Sequence, residues 1–388
     1  MTFDNIIVEL SIIFVSAATL GTIFLYAKQP VIIAYIVAGI LLGPNGFALI
    51  KQTEHIEKIS HLGIILLLFI VGLNLHPNKL IKYFKKTAVL TCLTSGLFGG
   101  AAFFVAKMMG LDVKNSVIFA AAMMFSSTVV SLKLIPTTVL HHKRTGEIMT
   151  SVLLLQDLLA ILTILFITGE RGSNVSLTFF ILTGKLALLC LAAFAGVKFI
   201  TIPLLKKFDV VQEYTFLITL GWCLLWAELA RMFGLSYEIG AFVAGLSIAS
   251  NRVAIIIAEH LKPLREFFLI LFFFAIGASM NFKVSPMLLL SAVCFGIILV
   301  PIKFIIFRTA FKKTGEEKSS STELSFRLAQ ASEFSLLVAA SALSVGILSK
   351  DCATMINITT IVTFIFSTYL VVKKYPTPIA GSPSLRQD

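Results

Sequence analysis

Long apolar runs separated by short polar joints extend along nearly the whole chain. Runs of about 20 residues, the length of a bilayer-spanning helix, recur from Ile6 to Val372, and we count about thirteen of them. The first run, Ile6 to Tyr26, lacks the basic start and the small-residue cleavage site of a signal peptide, so we expect it to be a retained helix. The pattern predicts an all-α, polytopic membrane protein.

Composition and charge placement agree with this prediction. The chain is 57% hydrophobic and 13% charged, whereas a soluble domain has roughly 25% charged residues. The net charge is +12, but the basic residues lie in the joints rather than on one face, so we expect no nucleic-acid partner. They concentrate in alternate joints, which predicts an outside N-terminus, a cytoplasmic C-terminus and an inner-membrane location. Residues on the basic side include Lys79, Lys82, Lys85, Lys86, Lys143, Arg144, Lys312, Lys313, Lys373 and Lys374.

Three segments in each half of the chain match at a shared interval of about 205 positions. They pair residues 36–40 with 242–246, 68–72 with 273–277, and 125–128 with 330–333. In our count the matched helices are seven apart, so the two copies should cross the bilayer in opposite directions. Such an inverted repeat is typical of secondary transporters, which bind their substrate near the midplane. We predict repeat one at 1–170, a linking helix at 176–200 and repeat two at 208–374.

Two polar residues, Gln156 and Asp157, interrupt the apolar run SVLLLQDLLAILTILF. An ionised carboxylate at that depth costs several kcal/mol unless it is paired or hydrated, so an intramembrane Asp indicates a functional site. A buried carboxyl can hold either a proton or a metal cation, and this competition is sufficient for exchange. Gln156 adds a neutral carbonyl oxygen as a candidate ligand. The structural alternative is a carboxyl that hydrogen-bonds between helices.

Polar clusters also occupy two equivalent helices of the repeats. Ser126, Ser127, Thr128 and Ser131 occur in the first copy, and their hydroxyls either bond to the carbonyls of their own helix or bind the ion. Arg327, Gln330, Ser332, Glu333 and Ser335 occur in the second. Polar clusters at matching positions favour two interrupted helices whose freed backbone groups and facing dipoles need polar partners. No Gly or Pro marks either interruption, so the prediction rests on polarity.

Lys303 is the remaining deep cation of this region. Its ammonium either extends to the cytoplasmic interface or pairs with Asp157 or Glu333. We predict that Glu333, Arg327, Lys303 and Ser332 form a supporting network that holds the interrupted helices and tunes the proton affinity of Asp157. The predicted cation and proton ligands are Asp157, Gln156, Ser127 and Thr128.

Seven blocks, in order, resemble the membrane domain of the monovalent cation:proton antiporter-2 family, and most closely its Kef-type potassium/proton branch. The blocks are KQPVIIAYIVAGILLGPNGF, LGIILLLFIVGLNLHPNKL, FSSTVVSLKLI, SVLLLQDLLAI, GLSYEIGAFVAGLSIA, LREFFLILFFFAIGASMN and LAQASEFSLL. The resemblance covers essentially the whole chain.

This resemblance implies the sodium/proton antiporter (NhaA-like) fold and a homodimer. A core bundle, which we place at 57–169 and 254–374, would move past a dimerisation bundle at 1–50 and 208–250. Two helices would unwind and cross beside the ion site, and the carboxylate at the position of Asp157 would bind cation or proton. No cofactor is implied apart from the transported K⁺ or Na⁺.

The pair Gln156-Asp157 matches the Kef branch, whereas some members of the family have two adjacent carboxylates there. One fewer titratable group means less charge moved per cycle, so we expect electroneutral exchange of one cation for one proton. A single carboxylate with neutral oxygens favours K⁺ over Na⁺. Kef-type proteins usually continue into a nucleotide-binding regulatory domain, and no GxGxxG follows the last predicted helix. We expect such a regulator to be absent, separate or beyond this sequence.

The sequence leaves three other interpretations: a regulated cation channel, a membrane sensor and an intramembrane enzyme. A regulated cation channel needs a continuous pore and a filter motif such as TVGYG, which we do not find. A membrane sensor would bind the ion without moving it. An intramembrane enzyme is disfavoured, because neither HExxH nor GxSxG occurs.

Overall fold

The computed structural model describes residues 6–50, 54–74, 77–135, 144–168, 175–208, 212–251, 253–280 and 285–377. Regular secondary structure in these ranges is helical. The first half contains α1 (Ile6–Tyr26), α2 (Val31–Leu42), α3 (Glu54–Asn74), α4 (Pro77–Met108), α5 (Val113–Met123), α6 (Thr128–Lys133), α7 (Arg144–Thr168) and α8 (Val175–Gly196). The second half contains α9 (Ile202–Lys207), α10 (Gln212–Met232), α11 (Tyr237–Ile248), α12 (Val253–Ser279), α13 (Pro286–Lys313), α14 (Lys318–Arg327), α15 (Glu333–Ser344) and α16 (Lys350–Lys374).

The helices are those of a multi-pass membrane protein. In the described ranges, eight helical segments are long and apolar enough to cross a membrane, and four shorter apolar helices accompany them. The expected count of about thirteen spans and the orientation of the termini stay predictions. A π-helical turn at Val197–Thr201 joins α8 to α9, in the region of the predicted linking helix.

Both predicted interruptions are present. Helix α5 ends at Met123 and α6 begins at Thr128, while α14 ends at Arg327 and α15 begins at Glu333. Serine caps each restart: the Ser127 hydroxyl accepts the Val130 N–H at 3.0 Å, and the Ser332 hydroxyl accepts the Phe334 N–H at 3.1 Å. An N-cap hydroxyl satisfies one of the backbone donors that a new helix leaves free. The breaks therefore need neither Gly nor Pro.

The chain divides into two compact units. One comprises 1–53, 83–164 and 276–388, and the other comprises 54–82 and 165–275. All residues of the predicted site lie in the first unit. The predicted core and dimerisation bundles concern movement during transport, and they stay a prediction.

Close helix contacts recur at equivalent positions of the two repeats. A Cβ at Gly72 of α3 would lie 2.4 Å from the carbonyl oxygen of Phe242 in α11, within the second unit. A Cβ at Gly277 of α12 would lie 2.0 Å from the carbonyl oxygen of Ile36 in α2, within the first unit. Gly72 and Gly277 are matched across the predicted repeat, and so are Phe242 and Ile36. The same backbone-to-backbone contact therefore occurs at matched positions of the two copies, and it requires glycine because no larger residue allows this approach.

We expect Gly245→Ala to destabilise the protein by about 2–3 kcal/mol, the cost of overpacking a close contact. An added Cβ would lie 2.0 Å from the Phe69 carbonyl oxygen, which belongs to the backbone of α3 and cannot move aside cheaply. Gly221→Ala in α10 is the matched control, because a Cβ there meets nothing within 4 Å. Thermal unfolding in detergent measures both variants. An equal melting temperature for the two would contradict the contact.

Candidate functional site

Asp157 lies in α7 opposite the restart of the first interrupted helix. Its side chain is 2% exposed. The Thr128 hydroxyl lies 3.0 Å from each of its two carboxyl oxygens, although a hydroxyl has a single proton to donate. No Lys, Arg or His of the described residues forms an ion pair with it. The carboxyl is therefore buried with less hydrogen-bond donation and positive charge than a carboxylate requires, which a bound proton or cation would supply.

Gln156, its neighbour in α7, binds the backbone at the first interruption. Its side-chain carbonyl accepts the N–H of Ser126 at 3.0 Å, and its amide donates to the Ser95 hydroxyl of α4 at 3.3 Å. Gln156 thus satisfies a backbone donor that the interruption frees and ties the break to α4. Its proposed role as an ion ligand stays a prediction.

Lys303 of α13 follows neither of the two alternatives drawn from the sequence. Its side chain is fully buried, so it does not reach the interface, and no carboxylate pairs with it among the described residues. Its ammonium instead donates to the carbonyl oxygens of Phe125 at 2.5 Å and Gln330 at 3.0 Å and lies 4.8 Å from the centre of the Phe98 ring. The physical reason is that each interruption leaves backbone carbonyls without a helical N–H donor, and an ammonium is a strong donor for such carbonyls.

The charges at the crossing match the polarity of the helix ends. Lys303 lies where α5 and α14 end, and helix C-termini carry partial negative charge. Glu333, the first residue of α15, lies at the opposite pole: its carboxyl accepts the N–H of Val129, in the first turn of α6, at 3.2 Å. Positive and negative side chains thus occupy the helix ends that each one stabilises.

Hydroxyls connect the two interrupted helices directly. Ser131 of α6 donates to the Arg327 carbonyl at 3.0 Å, and Ser335 of α15 donates to the Ala122 carbonyl at 2.5 Å. Gln330 adds a third link, because its amide donates to the Ser131 hydroxyl at 2.7 Å. The Ser131 and Ser335 hydroxyls therefore donate to carbonyls of the opposite helix rather than to carbonyls of their own.

Arg327 extends this network to the end of the last helix. Its guanidinium pairs with Glu323 at 2.8 Å and donates to the carbonyls of Leu134, which caps α6, at 2.6 Å and of Pro376 at 3.0 Å. Tyr375, just after α16, packs against the guanidinium at 5.7 Å, and burial raises the pKa of this phenol. Arg327 therefore joins the end of α6 to the segment that follows α16.

Several residues of the site were not selected from the sequence. Ser95 and Thr363 gave no signal, because isolated hydroxyls in membrane helices usually bond to their own helix. Glu323, the ion-pair partner of Arg327, was not among the predicted residues either. Ser126 stood in the polar cluster but not in the predicted ligand set. Its hydroxyl is fully buried and has no hydrogen-bond partner among the described residues, which makes it a candidate oxygen ligand.

A comparison with known protein families identifies the family of this chain. The model of the transmembrane sodium/hydrogen exchanger family matches residues 12–373. The chain belongs to that family.

Curated relatives and solved structures agree with the family assignment. K(+) efflux antiporter 6 of Arabidopsis thaliana is 28% identical over 96% of this chain, and K(+) efflux antiporter 4 of the same plant is 29% identical over 86%. The chain spans 64% and 58% of their lengths, respectively. These relatives confirm the resemblance to the cation:proton antiporter-2 family.

Two further proteins widen the comparison. The iron transporter MagA of Paramagnetospirillum magneticum is 23% identical over 92% of this chain and 83% of its own length. The solved structure of the sodium proton antiporter MjNhaP1 from Methanocaldococcus jannaschii at pH 8 matches with a TM-score of 0.69 and 16% identity, over 94% of this chain and 95% of that one. This match confirms the predicted sodium/proton antiporter fold.

Lys303→Met should lower the free energy of unfolding by about 2 kcal/mol or more, because it removes the donor for two buried carbonyls at once. Lys313→Met is the matched control, since Lys313 is an exposed residue in the last turn of the same helix. Thermal unfolding in detergent separates the two variants. Equal stability of both would show that the Lys303 ammonium does not hold the interruptions.

Proposed function

We propose that this chain exchanges a monovalent cation for a proton across a membrane, with the Asp157 carboxyl as the shared site. The observation that carries the proposal is a carboxyl in a bilayer-spanning helix, 2% exposed, with one hydroxyl as its hydrogen-bond donor and no ion pair among the described residues. Such a group gains most from binding either a proton or a cation, and it cannot hold both.

The surroundings of Asp157 suit a weakly hydrated cation. Thr128 contributes a hydroxyl oxygen, and Ser126, Ser127 and Gln156 are the further candidate ligands, all of them neutral. A site with one formal charge and neutral oxygens binds K⁺ more readily than a smaller, more strongly hydrated ion, since K⁺ gives up its water at lower cost. The names of the K(+) efflux antiporter relatives support the same cation.

The exchange is electroneutral in this proposal. Gln156 has no charge to contribute, and its side chain is engaged with Ser126 and Ser95. Glu333 is directed to the Val129 N–H, and Lys303 to the carbonyls of the interruptions. The Asp157 carboxyl is then the group that binds and releases an ion in each cycle, so one cation replaces one proton.

The remaining features of the proposal follow the family. The chain works as a homodimer in the inner membrane, and the predicted core bundle carries the site from one side to the other by an elevator-type movement. Where a nucleotide-binding regulator is present, it is either a separate partner or a domain beyond this sequence. The likeness to MjNhaP1 supports the fold on which the dimer and the movement are proposed.

Two alternatives have specific support. Sodium/proton exchange is the activity for which the matched antiporter MjNhaP1 is named. The relative named an iron transporter suggests a divalent cation as the transported ion. A K⁺ efflux channel opened by a regulator is the third possibility. Flux that saturates at slow turnover and reverses with the pH gradient distinguishes an antiporter from a channel.

Purified protein in proteoliposomes with an imposed pH gradient tests the proposal. We expect added K⁺ to dissipate the gradient, with smaller responses to Na⁺, Li⁺ and Fe²⁺, and Asp157→Asn to reduce the response to that of empty liposomes. Asp112→Asn is the matched control, because Asp112 is an exposed helix cap whose role Asn can take over. Full activity of Asp157→Asn would refute the proposal.

An imposed membrane potential tests the ratio of ions. We expect the initial rate of K⁺-driven proton movement to be the same with and without a potential, because no net charge crosses in a one-for-one cycle. Vesicles with the same internal buffer but without valinomycin, in which no potential is imposed, provide the baseline rate. A rate that follows the sign of the potential would exclude electroneutral exchange.

A further inference from the structure

The two interruptions receive equivalent partners at positions one repeat interval apart. Phe125 and Gln330 are such a pair, and Lys303 donates to both of their carbonyls. Ala122 and Arg327 are another, and each carbonyl accepts a serine hydroxyl from the opposite helix. Ser127 and Ser332 both cap a restarting helix. The supporting contacts are thus duplicated, whereas the Asp157 carboxyl is not, because Val362 stands one interval beyond it.

The backbone N–H groups at the two breaks extend this correspondence. In the first break, the Ser126 N–H is bound by Gln156 of α7. The equivalent residue of the second break is Ala331, and its N–H donates to the Thr363 hydroxyl of α16 at 3.0 Å. Helix α16 is the last helix of the second repeat, as α7 is of the first. Thr363 therefore does at the second break what Gln156 does at the first.

Ser367, one turn further along α16, holds the neighbouring residue. Its hydroxyl donates to the side-chain carbonyl of Gln330 at 3.0 Å. The amide of Gln330 in turn donates to Ser131 of α6, the short helix whose first residue, Thr128, contacts Asp157. A continuous chain of buried contacts thus runs from α16, through Gln330 and α6, to the exchange site.

We propose that Thr363 and Ser367 are positioning residues for cation binding: they fix the second interruption to α16 and thereby keep Thr128 and Lys303 in place. The inference rests on the proposed exchange at Asp157, which neither residue touches. Both side chains are buried, with exposures of 0% and 1%. When the Thr363 hydroxyl is removed, the Ala331 N–H loses its partner, and the adjoining Gln330 carbonyl is freed to move away from Lys303.

Thr363→Val removes the hydroxyl while keeping the shape of the side chain. We expect the K⁺ concentration at half-maximal exchange to rise about fivefold to tenfold, the factor that corresponds to one buried hydrogen bond, with a smaller change in the maximal rate. Thr363→Ser should restore the wild-type value. Thr360→Val is the matched control: Thr360 is equally buried in the same helix, but its hydroxyl bonds to the Ile356 carbonyl of its own helix.

The rate of amide hydrogen exchange in the peptide that contains Ala331 is measured for the same variants. We expect faster exchange in Thr363→Val than in wild type or Thr360→Val, independent of transport. If the wild type does not exchange ions, the proposed function fails while this readout still judges the positioning contact. Ser367→Ala, a smaller change, should also raise the half-maximal K⁺ concentration, and it decides the matter if Thr363→Val does not fold.

The inference is overturned if folded Thr363→Val and Ser367→Ala keep the wild-type half-maximal concentration. It is equally overturned if Thr360→Val changes this concentration as much as Thr363→Val does, since a general loss of helix packing would then explain both.

Discussion

Backbone groups that lack helical partners inside a bilayer must be hydrogen-bonded by something else, and this requirement governs the centre of the molecule. The interruptions at residues 124–127 and 328–332 free carbonyls and N–H groups where water is scarce. Lys303 satisfies a carbonyl from each break, and Gln156 and Thr363 each satisfy one N–H. Most of these buried polar side chains therefore bind backbone groups of the interruptions, even where they surround a functional group.

Against this background Asp157 is the exception. Its neighbours are used to hold backbone groups, whereas its own carboxyl meets only the Thr128 hydroxyl among the described residues. Several contacts at the two breaks are repeated, whereas the Asp157 carboxyl has no counterpart, because Val362 stands one interval beyond it. A single exchangeable carboxyl among polar residues that mostly bind backbone groups favours one-for-one exchange of a cation and a proton.

The sequence predicted the apolar helices, both interruptions and the importance of the Asp157 region, since each depends on polarity at a given depth. The resemblance to an antiporter family supplied the fold that the MjNhaP1 structure confirms. The partners of Lys303 could not be predicted, because a sequence does not show which backbone carbonyls lack a helical hydrogen-bond partner. Thr363 and Ser95 were missed for a similar reason: a threonine or serine that binds another helix looks the same as one that binds its own.

In the proposed cycle a cation and a proton compete for the Asp157 carboxyl, and coupled proton release measures this competition most directly. Calorimetric titration of the purified protein with K⁺, in two buffers of different ionisation enthalpy, gives the number of protons released per cation bound. We expect about one proton per cation at a pH where the site is protonated, and no heat of binding in Asp157→Asn. Cation binding without proton release across the accessible pH range, or unchanged binding in Asp157→Asn, would contradict it.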